Sequence, residues 1–512
     1  MTKAFDNQTY LTEQASFIRE RMRSFDGRLY LEFGGKLVND FHAARVLPGY
    51  DPNVKVRLLQ ELQKDAEIIL CIHAGAIEHR KMRADYGITY DADAMKLIDD
   101  LRAWGLTVSA VVITRWKNQP QAQAFRTKLE NRGIRVYAHT PIKGYPNDPD
   151  LIASSEGYGS NPRIETTRPL VVITGPGPGS GKMATCLSQV YHDHQQNIRA
   201  MYAKFETFPI WNLPLGHPVN KAYEAATLDL QDYNLIDPYH IEATGVQAVN
   251  YNRDVDSFPI LRSILERITG DGNIYKSPTE MGVNRVGFAI VDDEAAREAA
   301  KQEVVRRYFR SICEHMMGAV DDKAVEKAKQ LLNELDLQPE YRKVVPAARE
   351  AAEEAKQITL ADPDAPDAKG VEEVWCGAAL ELADGQLVTG KNSTLLHAAT
   401  AAVLNGVKTL AGLPDSIHLL SPIVIESISR FKQEVLQRSQ PSLDVEESLI
   451  ALSISAALNP TVQACVDQLH ALRGCQMHLT HLPSPGDEAG LRKLGLNLTS
   501  EPQFASRRLF VE

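Results

Sequence analysis

The sequence lacks the features that would place the protein in a membrane or on nucleic acid. None of its apolar stretches approaches the roughly 20 residues that a helix needs to cross a bilayer. The first residues, "MTKAFDNQTYLTEQ", show no basic segment followed by an apolar one, so no secretory signal is indicated. Acidic residues (66) outnumber Lys and Arg (56), and the formal net charge of -10 argues against general nucleic-acid binding. We therefore expect a cytoplasmic protein with neither a membrane nor a nucleic-acid partner.

Paired cysteines are also lacking. The chain has 6 cysteines, which are scattered and lie mostly within apolar segments, and no two of them form a C-x-x-C pair. This pattern is typical of reduced, buried thiols rather than of a disulfide framework. The sequence has no internal repeat or low-complexity tract, and its 512 residues allow about two to four ordinary domains.

The first 290 residues contain an alternation of short apolar runs with helical patterns. Four runs predict buried strands: "IILCI" (68–72), "VSAVVIT" (108–114), "IRVYAH" (134–139) and "LVVIT" (170–174). Helical patterns such as "DAMKLIDDLRAWG" lie between them and end at a glycine. Because strands that alternate with helices pair in parallel, residues 1–290 are predicted to form a three-layer α/β region with a mostly parallel sheet.

The character of the sequence changes after residue 290. Long charged patterns such as "AVEKAKQLLNELDL" predict a helical subdomain over 291–365, with a linker rich in Pro and Asp at 359–370. Residues 366–512 are predicted to form a second α/β domain, with a hairpin that turns at Asp384–Gly385. A helix, the strand "SIHLL" (416–420) and the helix "PIVIESISRFKQEVL" are predicted to follow. The order hairpin, helix, strand, helix predicts a cytidine-deaminase-like topology.

The C-terminal domain lacks the residues of zinc-dependent deamination. That chemistry needs an H-x-E motif on the first helix and a P-C-x-x-C motif on the next. In "HAA", which begins at His397, Ala399 stands where the glutamate belongs, and P-C-x-x-C occurs nowhere in the sequence. The sequence therefore excludes zinc deamination, and His397 is interpreted as a structural or interface residue.

The densest chemical signal is "TGPGPGSGKMAT" (174–185), which begins at the last residue of a predicted strand. Glycines let successive backbone N–H groups face an anion, and the next helix adds free N–H groups and the positive end of its dipole. Lys182 would lie in the first turn of that helix, where its ammonium could reach the anion. The predicted anion-binding residues of this P-loop-like turn are Gly175, Gly177, Gly179, Ser180, Gly181 and Lys182.

The loop differs from the Walker A pattern, G-x-x-x-x-G-K-[ST]. Pro176 occupies the position of the first glycine, and Met183 replaces the residue whose hydroxyl holds Mg²⁺. That hydroxyl would have to come from Ser180 or Thr185. The alternative interpretation is a glycine-rich turn that is packed closely for structural reasons and binds no ligand.

Other polar residues follow predicted strands or lie in irregular stretches, where α/β proteins place ligand-binding loops. Basic residues that could clamp an anion are Lys36, Arg83 and Arg253. Arg83 belongs to a polar stretch after a predicted strand, "AGAIEHRKMRADYGITYD", which also carries His79, Arg80 and Lys81 and directly follows His73. Carboxylates that could act as a base or hold Mg²⁺ are Glu206, Asp237 and Asp254. An acidic partner for the glycine loop could come from Asp292 or Asp293, but the helical pattern after them favours an N-cap. Since no fixed spacing identifies a metal site, the metal stays unknown.

Several long motifs resemble a family of bacterial proteins called domain of unknown function 1846, or uncharacterised protein family 0371. The motifs are "EFGGKLVNDFHAARVLPGYDP", "GITYD", "PIKGYP", "GPGPGSGK", "KFETFPIWNLPL", "VNYNRD" and "SPTEMGVN". The resemblance spans nearly the whole chain and includes each residue from Gly175 to Lys182. It implies a multi-domain cytoplasmic α/β protein with a helical subdomain and a C-terminal domain of deaminase-like topology, and it brings no established reaction.

The leading hypothesis is an enzyme, a transferase or hydrolase, that binds a phosphorylated small molecule or nucleotide through the Gly175–Lys182 loop. ATP or another phosphorylated ligand with Mg²⁺ would be its cofactor. The predicted catalytic residues are Lys182, Glu206, Asp237 and Asp254. Two alternatives stay open: a non-catalytic nucleotide or metabolite sensor or assembly protein, and a hydrolase or lyase that acts on a phosphorylated substrate without a nucleotide. The long charged helices suggest contacts between subunits, so a homo-oligomer is expected.

Overall fold

The computed structural model describes residues 3–83, 87–361, 374–438 and 440–507. Most of the predicted linker at 359–370 and the side chain of Arg83 lie outside the described residues. The chain divides into two compact units, a first unit that ends at Ala300 and a second unit that begins at Lys301. The domain boundaries expected near residues 290 and 365 stay predictions.

The first unit is built on a parallel sheet. Its strands are β1 (Arg28–Phe33), β2 (Ala66–His73), β3 (Met82–Arg83), β4 (Ile88–Thr89), β5 (Val108–Thr114), β6 (Val136–His139), β7 (Leu170–Thr174), β8 (Ala200–Phe205), β9 (Asn234–Ile236) and β10 (Val249–Tyr251). Six of them form one sheet in the order β6-β5-β2-β7-β1-β8, and all neighbours in it run parallel. The pairs β3–β4 and β9–β10 are short antiparallel ribbons. The predicted α/β class and the mostly parallel sheet are confirmed.

Helices connect these strands and cover both faces of the sheet. They are α1 (Asn7–Phe25), α2 (Phe41–Val46), α3 (Val54–Glu61), α4 (Ala74–Glu78), α5 (Tyr90–Ala103), α6 (Pro120–Glu130), α7 (Pro149–Ile152), α8 (Lys182–Gln195), α9 (Pro218–Ala226), α10 (Pro238–Thr244), α11 (Asn252–Thr269), α12 (Pro278–Met281) and α13 (Asp293–Met316), which continues past Ala300. On one face, Leu70 and Ile72 of β2 share an apolar cluster with Phe125 of α6. Cys71 lies between Leu70 and Ile72 in β2, and its thiol contacts the Thr185 hydroxyl of α8 at 3.4 Å. Since neighbouring residues of a strand point to opposite faces, α8 lies across the sheet from α6.

The second unit combines helices with a four-stranded sheet. Its further elements are α14 (Asp322–Glu334), α15 (Val344–Ala361), β11 (Gly377–Glu381), β12 (Leu387–Lys391), α16 (Ala398–Leu410), α17 (Pro422–Glu434), α18 (Val445–Ala456), α19 (Pro460–Val466), β13 (Gln476–Leu479), α20 (Pro485–Leu494) and β14 (Asn497–Ser500). The strand order is β12-β11-β13-β14, in which only β13 and β14 run parallel. The predicted hairpin is present as β11 and β12, and Gly385 in its turn has a left-handed φ of 87°.

The predicted strand "SIHLL" (416–420) is wrong. These residues form turns, in which the Ile417 N–H donates to the Pro414 carbonyl oxygen at 3.1 Å. Leu419 and Leu420 are nevertheless buried in the core of the second unit. An apolar run of this length has the same pattern whether it crosses a sheet or fills a core, so periodicity could not separate the two cases. The third strand of this sheet is β13.

Two further expectations concern the whole described chain. All 6 cysteines are buried and free, as predicted. Among the helices of the described residues, none combines the length and the apolar character that spanning a membrane requires.

Candidate functional site

The carboxyl ends of the six parallel strands gather most of the candidate residues on one edge of the first unit. The connections diverge between the neighbouring strands β2 and β7. After β2 the next strand of this sheet is β5, towards one end of the sheet, and after β7 it is β8, at the other end. Open parallel sheets bind ligands outside the carboxyl ends of their strands, at the point where the connections diverge in this way. The glycine loop leaves β7 at that point, which makes this edge the candidate site.

The glycine loop joins β7 directly to α8. Thr174 ends β7, and Gly181 is the N-cap of α8 with a left-handed φ of 89°. No described side chain caps α8, which leaves its first backbone N–H groups available to a ligand. At Gly177 the loop packs so closely that a Cβ would lie 2.5 Å from the Tyr90 ring. Glycine is thus required at Gly181 by the backbone conformation and at Gly177 by the close approach.

Lys182 folds back over the loop that precedes it. Its ammonium donates to the Gly177 carbonyl oxygen at 3.3 Å and lies 3.5 Å from the Ser180 hydroxyl oxygen. The loop is tied to β5, where the Thr114 hydroxyl donates to the Ser180 carbonyl oxygen at 2.8 Å. The Thr185 hydroxyl donates to a carbonyl oxygen one turn back, at 2.9 Å, and so belongs to the helix. Of the two hydroxyls predicted to replace that of a Walker A motif, Ser180 is the one beside Lys182.

Further positive charge lies near the loop at the ends of β2 and β5. Arg115 directly follows β5 in a left-handed conformation with φ 53°. The Lys81 ammonium lies 5.5 Å from the centre of the Tyr90 ring, which itself packs against Gly177. Burial and the charges of Arg115 and Lys81 lower the pKa of His73 at the end of β2, so His73 is neutral at neutral pH. The surroundings of the loop therefore favour an anion.

A second group of side chains forms a cluster around Lys204 in β8; we call Lys204, Glu206, Tyr251 and Asp254 the Lys204 cluster. The Lys204 ammonium lies 2.6 Å from each carboxylate oxygen of Asp254 and 3.3 Å from Oε1 of Glu206. The Tyr251 hydroxyl donates to the same Oε1 at 2.8 Å and also contacts the ammonium. The side chains of Lys204, Asp254 and Glu206 are 11%, 13% and 22% exposed, so their charges interact largely out of water.

Glu206 extends from the end of β8 over the end of β1. Gly34, directly after β1, leaves the space for it, since a Cβ there would lie 2.7 Å from Oε1. β1 is the strand next to β7, so the carboxyl group lies over the strand adjacent to the one that carries the glycine loop. Within the described chain, Tyr251 and Lys204 both contact Oε1, and no hydrogen bond reaches Oε2. Oε2 is the oxygen that a ligand could use.

Burial and charge oppose each other in the Lys204 cluster. Burial lowers the pKa of Lys204, but the charges of Asp254 and Glu206 outweigh it and raise the pKa above the ordinary 10.5, so the ammonium stays charged. Burial has the largest effect on Glu206 and raises its pKa to about 7. The charge of Lys204 lowers this pKa, and the charge of Asp254 raises it. Burial also raises the pKa of Tyr251, which keeps its phenol protonated as a donor. Glu206 is therefore the group of the cluster best suited to exchange a proton near neutral pH.

Two of the predicted basic residues lie on or beside this edge. Lys36 is half-buried in the loop that follows β1. The Arg253 guanidinium lies 5.1 Å from the centre of the Tyr251 ring, at the side of the Lys204 cluster. The side chain of Arg83 lies outside the described residues, so its predicted role stays a prediction.

Asp237 and Asp292 lie at the starts of helices. Asp237 is buried, and its Oδ1 accepts the His240 N–H of α10 at 3.1 Å while its Oδ2 accepts the Thr279 hydroxyl at 2.6 Å. Both carboxylate oxygens of Asp237 are therefore engaged by the starts of α10 and α12. Asp292 accepts the Ala295 N–H at 3.0 Å in the first turn of α13, which confirms the N-cap interpretation. In the part of the chain that the structure covers, no three His, Cys, Asp or Glu side chains are arranged to hold a metal.

Sequence reasoning missed Lys204, Tyr251 and Arg115. A signal for Lys204 is the single charge among the apolar residues of "AMYAKF" (200–205), since a charge in a buried strand needs a partner, but the burial of β8 is seen only in the structure. No comparable signal marks Arg115, since its left-handed conformation is visible only in three dimensions.

Comparison with known proteins agrees with the resemblance drawn from the motifs. The family described as domain of unknown function DUF1846, N-terminal, matches residues 3–336, and its C-terminal counterpart matches residues 340–510. UPF0371 proteins of Clostridium botulinum (strain Alaska E43 / Type E3) and Clostridium tetani (strain Massachusetts / E88) are each 51% identical over 510 residues, which are 100% of this chain and 99% of each relative. The chain therefore belongs to the DUF1846 family, in which relatives carry the name UPF0371 protein.

Proposed function

We propose that the first unit is an enzyme that binds a phosphorylated small molecule at the carboxyl edge of its six-stranded sheet. The observation that carries the proposal is the placement of two groups at neighbouring strand ends. A glycine loop with Lys182 folded over it and an uncapped helix after it leaves β7, and the largely buried carboxyl group of Glu206 lies over the end of the adjacent strand β1. Backbone N–H groups and an ammonium bind phosphate, and a carboxyl group with a raised pKa moves protons. The loop then has the function of a P-loop-like turn, although it is longer than a Walker A loop.

Each group has a separate role in this proposal. A phosphate at the loop replaces the carbonyl oxygen of Gly177 as the partner of Lys182, because an ammonium binds a charged oxygen more strongly than a neutral one. Ser180 offers its hydroxyl to the phosphate or to an accompanying Mg²⁺. Tyr251 and Lys204 hold Oε1 of Glu206, and Oε2 takes a proton from an attacking water or substrate hydroxyl.

Phosphate binding is tested by the melting temperature in the presence of inorganic phosphate, ATP with Mg²⁺, or a hexose phosphate. We expect at least one of these probes to raise the melting temperature of the wild type and Lys182→Ala to remove that rise. Lys128→Ala is the matched control, since Lys128 is an exposed lysine on α6 of the same unit, and it should keep the full response. A wild type that responds to none of the probes contradicts the proposal.

Turnover separates the enzyme from the sensor. With the probe that binds, release of inorganic phosphate or loss of the probe is measured for the wild type and for Glu206→Gln, which keeps the shape of the side chain. Removing a general base costs about 10²–10⁴-fold in rate, so Glu206→Gln should lose activity and keep the melting response. Binding without turnover in the wild type favours the sensor, and a response to the hexose phosphate but not to ATP favours the hydrolase or lyase without a nucleotide.

We also propose that the second unit has the cytidine-deaminase-like topology expected from the sequence. The strand order β12-β11-β13-β14 supports it, with β11 and β12 as the hairpin, α16 after β12 and α20 after β13. In this correspondence β13 is the third strand and α20 is the helix after it, whereas the sequence had predicted "SIHLL" and α17 for these two elements. The expected homo-oligomer stays a prediction.

A further inference from the structure

Three helices of the second unit begin at one buried carboxylate, that of Asp487 in the first turn of α20. Asp487 is 1% exposed. Its Oδ2 accepts a hydrogen bond from Nδ1 of His397, the N-cap of α16, at 2.7 Å, and one from the hydroxyl of Ser484, the N-cap of α20, at 2.8 Å. Its Oδ1 accepts the N–H of Val445, the first residue of α18, at 3.0 Å. One side chain thus ties the starts of α16, α18 and α20 together.

These residues can be aligned with a zinc-deaminase signature. In zinc deaminases the ligands come from H-x-E and P-C-x-x-C motifs on two successive core helices. If α16 and α20 are those helices, "PSPGD" (483–487) aligns with P-C-x-x-C, so that Ser484 and Asp487 replace the two cysteines. His397 then holds the position of the histidine. The hydrogen bonds among the three side chains show that these positions converge on one point, as ligands of one ion would.

The residues do not fit a catalytic zinc ion. Zinc sites in proteins use thiolates, imidazoles and carboxylates, and the neutral hydroxyl of Ser484 is none of these. Both oxygens of Asp487 are already engaged in hydrogen bonds, and Ala399 replaces the glutamate that would move the proton.

We infer that a hydrogen-bonded lock of His397, Asp487 and Ser484 occupies the zinc position of a deaminase and fixes the helices in place of the metal. The inference rests on the deaminase-like topology proposed above and is independent of phosphate binding by the first unit. The second unit accordingly has a structural role at this point and lacks the groups of zinc-dependent deamination there.

Restoring the ligands tests the inference directly. Ser484→Cys with Asp487→Cys combines two thiols with the imidazole of His397, a ligand set that binds Zn²⁺ and Co²⁺. We expect this variant to take up one Co²⁺ per chain with the visible absorption of a tetrahedral thiolate site, and His397→Ala added to it to weaken that absorption. The wild type should contain no stoichiometric zinc after purification and show no such absorption with Co²⁺.

A matched control places two thiols elsewhere on the same helix. Glu488→Cys with Arg492→Cys puts them one turn apart at exposed positions, and any Co²⁺ that this variant binds should not respond to His397→Ala. If the restored variant folds only with Zn²⁺ present, as followed by circular dichroism, the metal has replaced the lock and the inference is supported.

Two results would overturn the inference, and they differ in whether they also reject the deaminase-like topology. Stoichiometric zinc in the wild type that disappears in His397→Ala would show a metal site, which rejects the lock and keeps the topology. A restored variant that binds no Co²⁺, or that stays unfolded even with Zn²⁺, would show that the three positions do not correspond to the ligands, which rejects both the lock and the topology. Neither result changes the melting response of the first unit to phosphate.

Discussion

Lys204→Met removes the only cation of the Lys204 cluster and keeps a side chain of similar length, so its effect measures the charge interactions. At an effective dielectric constant of about 20, attraction over 2.6 Å to Asp254 amounts to about 6 kcal/mol, and that over 3.3 Å to Glu206 to about 5 kcal/mol. Burying the ammonium costs several kcal/mol, which offsets part of this attraction, and breaking a buried pair typically costs about 3–5 kcal/mol. We therefore expect the free energy of unfolding of the first unit to fall by about 3–5 kcal/mol, measured by urea unfolding followed through tryptophan fluorescence.

The matched control is Lys143→Met, which removes the same type of side chain from an exposed pair. Lys143 lies 3.0 Å from Glu156, and the two side chains are 63% and 67% exposed. Solvent screens this pair, so the loss should stay at or below about 1 kcal/mol. Adding Asp254→Asn to Lys204→Met should recover part of the loss, because it removes the carboxylate left without its cation. Equal losses for the two lysine variants, or no recovery in the double variant, would refute the reasoning.

The remaining predictions concern the lock and the glycine loop. Burial alone would raise the pKa of Asp487 and lower that of His397, but their mutual hydrogen bond lowers the pKa of Asp487 below 3.8 and raises that of His397 above 6.5. The stabilisation that the charge of His397 adds is then complete below pH 6.5 and is lost as the pH rises through the raised pKa. The difference in melting temperature between the wild type and His397→Asn should therefore shrink at alkaline pH, and a constant difference would contradict this. Gly177→Ala should abolish the phosphate-dependent rise in melting temperature, because the methyl group would lie 2.5 Å from Tyr90. The methyl group of Gly179→Ala would meet nothing within 4 Å and adds only the strain of a left-handed φ of 69°. Phosphate should therefore raise the melting temperature of Gly179→Ala more than that of Gly177→Ala, and equal rises would count against the packing argument.

Local sequence patterns predicted the features of the first unit that depend on neighbours in the chain. The runs "VSAVVIT" and "LVVIT" are β5 and β7 residue for residue, because strands covered on both faces need continuous apolar stretches. The turn from β7 into α8 was also predictable, since strand, glycines and helical stripe follow one another directly. The strands β1 and β8 were missed, because "RLYLEF" and "AMYAKF" each carry charged residues that interrupt the apolar run.

The Lys204 cluster could not be predicted as a unit, because its members are brought together by the fold. Lys204 and Asp254 are separated by 50 residues, and Asp254 comes from the first turn of α11. Glu206 and Asp254 were singled out by residue type alone, while their common partner Lys204 was overlooked. Asp237 matched the same criterion of residue type and lies at the start of another helix. Residue type without a spacing rule therefore selects both members of a cluster and residues outside it.

The sheet itself limits the size of ligand that the proposed site can serve. Neighbouring strands lie about 4.8 Å apart. The glycine loop rises from β7, and Glu206 extends from β8 over the end of β1 between them, so a phosphate at the loop would lie about 5 to 10 Å from the carboxyl group. A phosphate attached to a chain of about four to six atoms spans that distance at about 1.5 Å per bond. The hypotheses of reaction at phosphorus and of reaction elsewhere on the ligand then differ in the residue nearest to the reacting atom. That residue is Lys182 if phosphorus reacts, and it is Glu206 if an atom further along the ligand reacts. Since the two residues belong to different strand ends, the variants Lys182→Ala and Glu206→Gln separate binding of the phosphate from chemistry on the rest of the molecule.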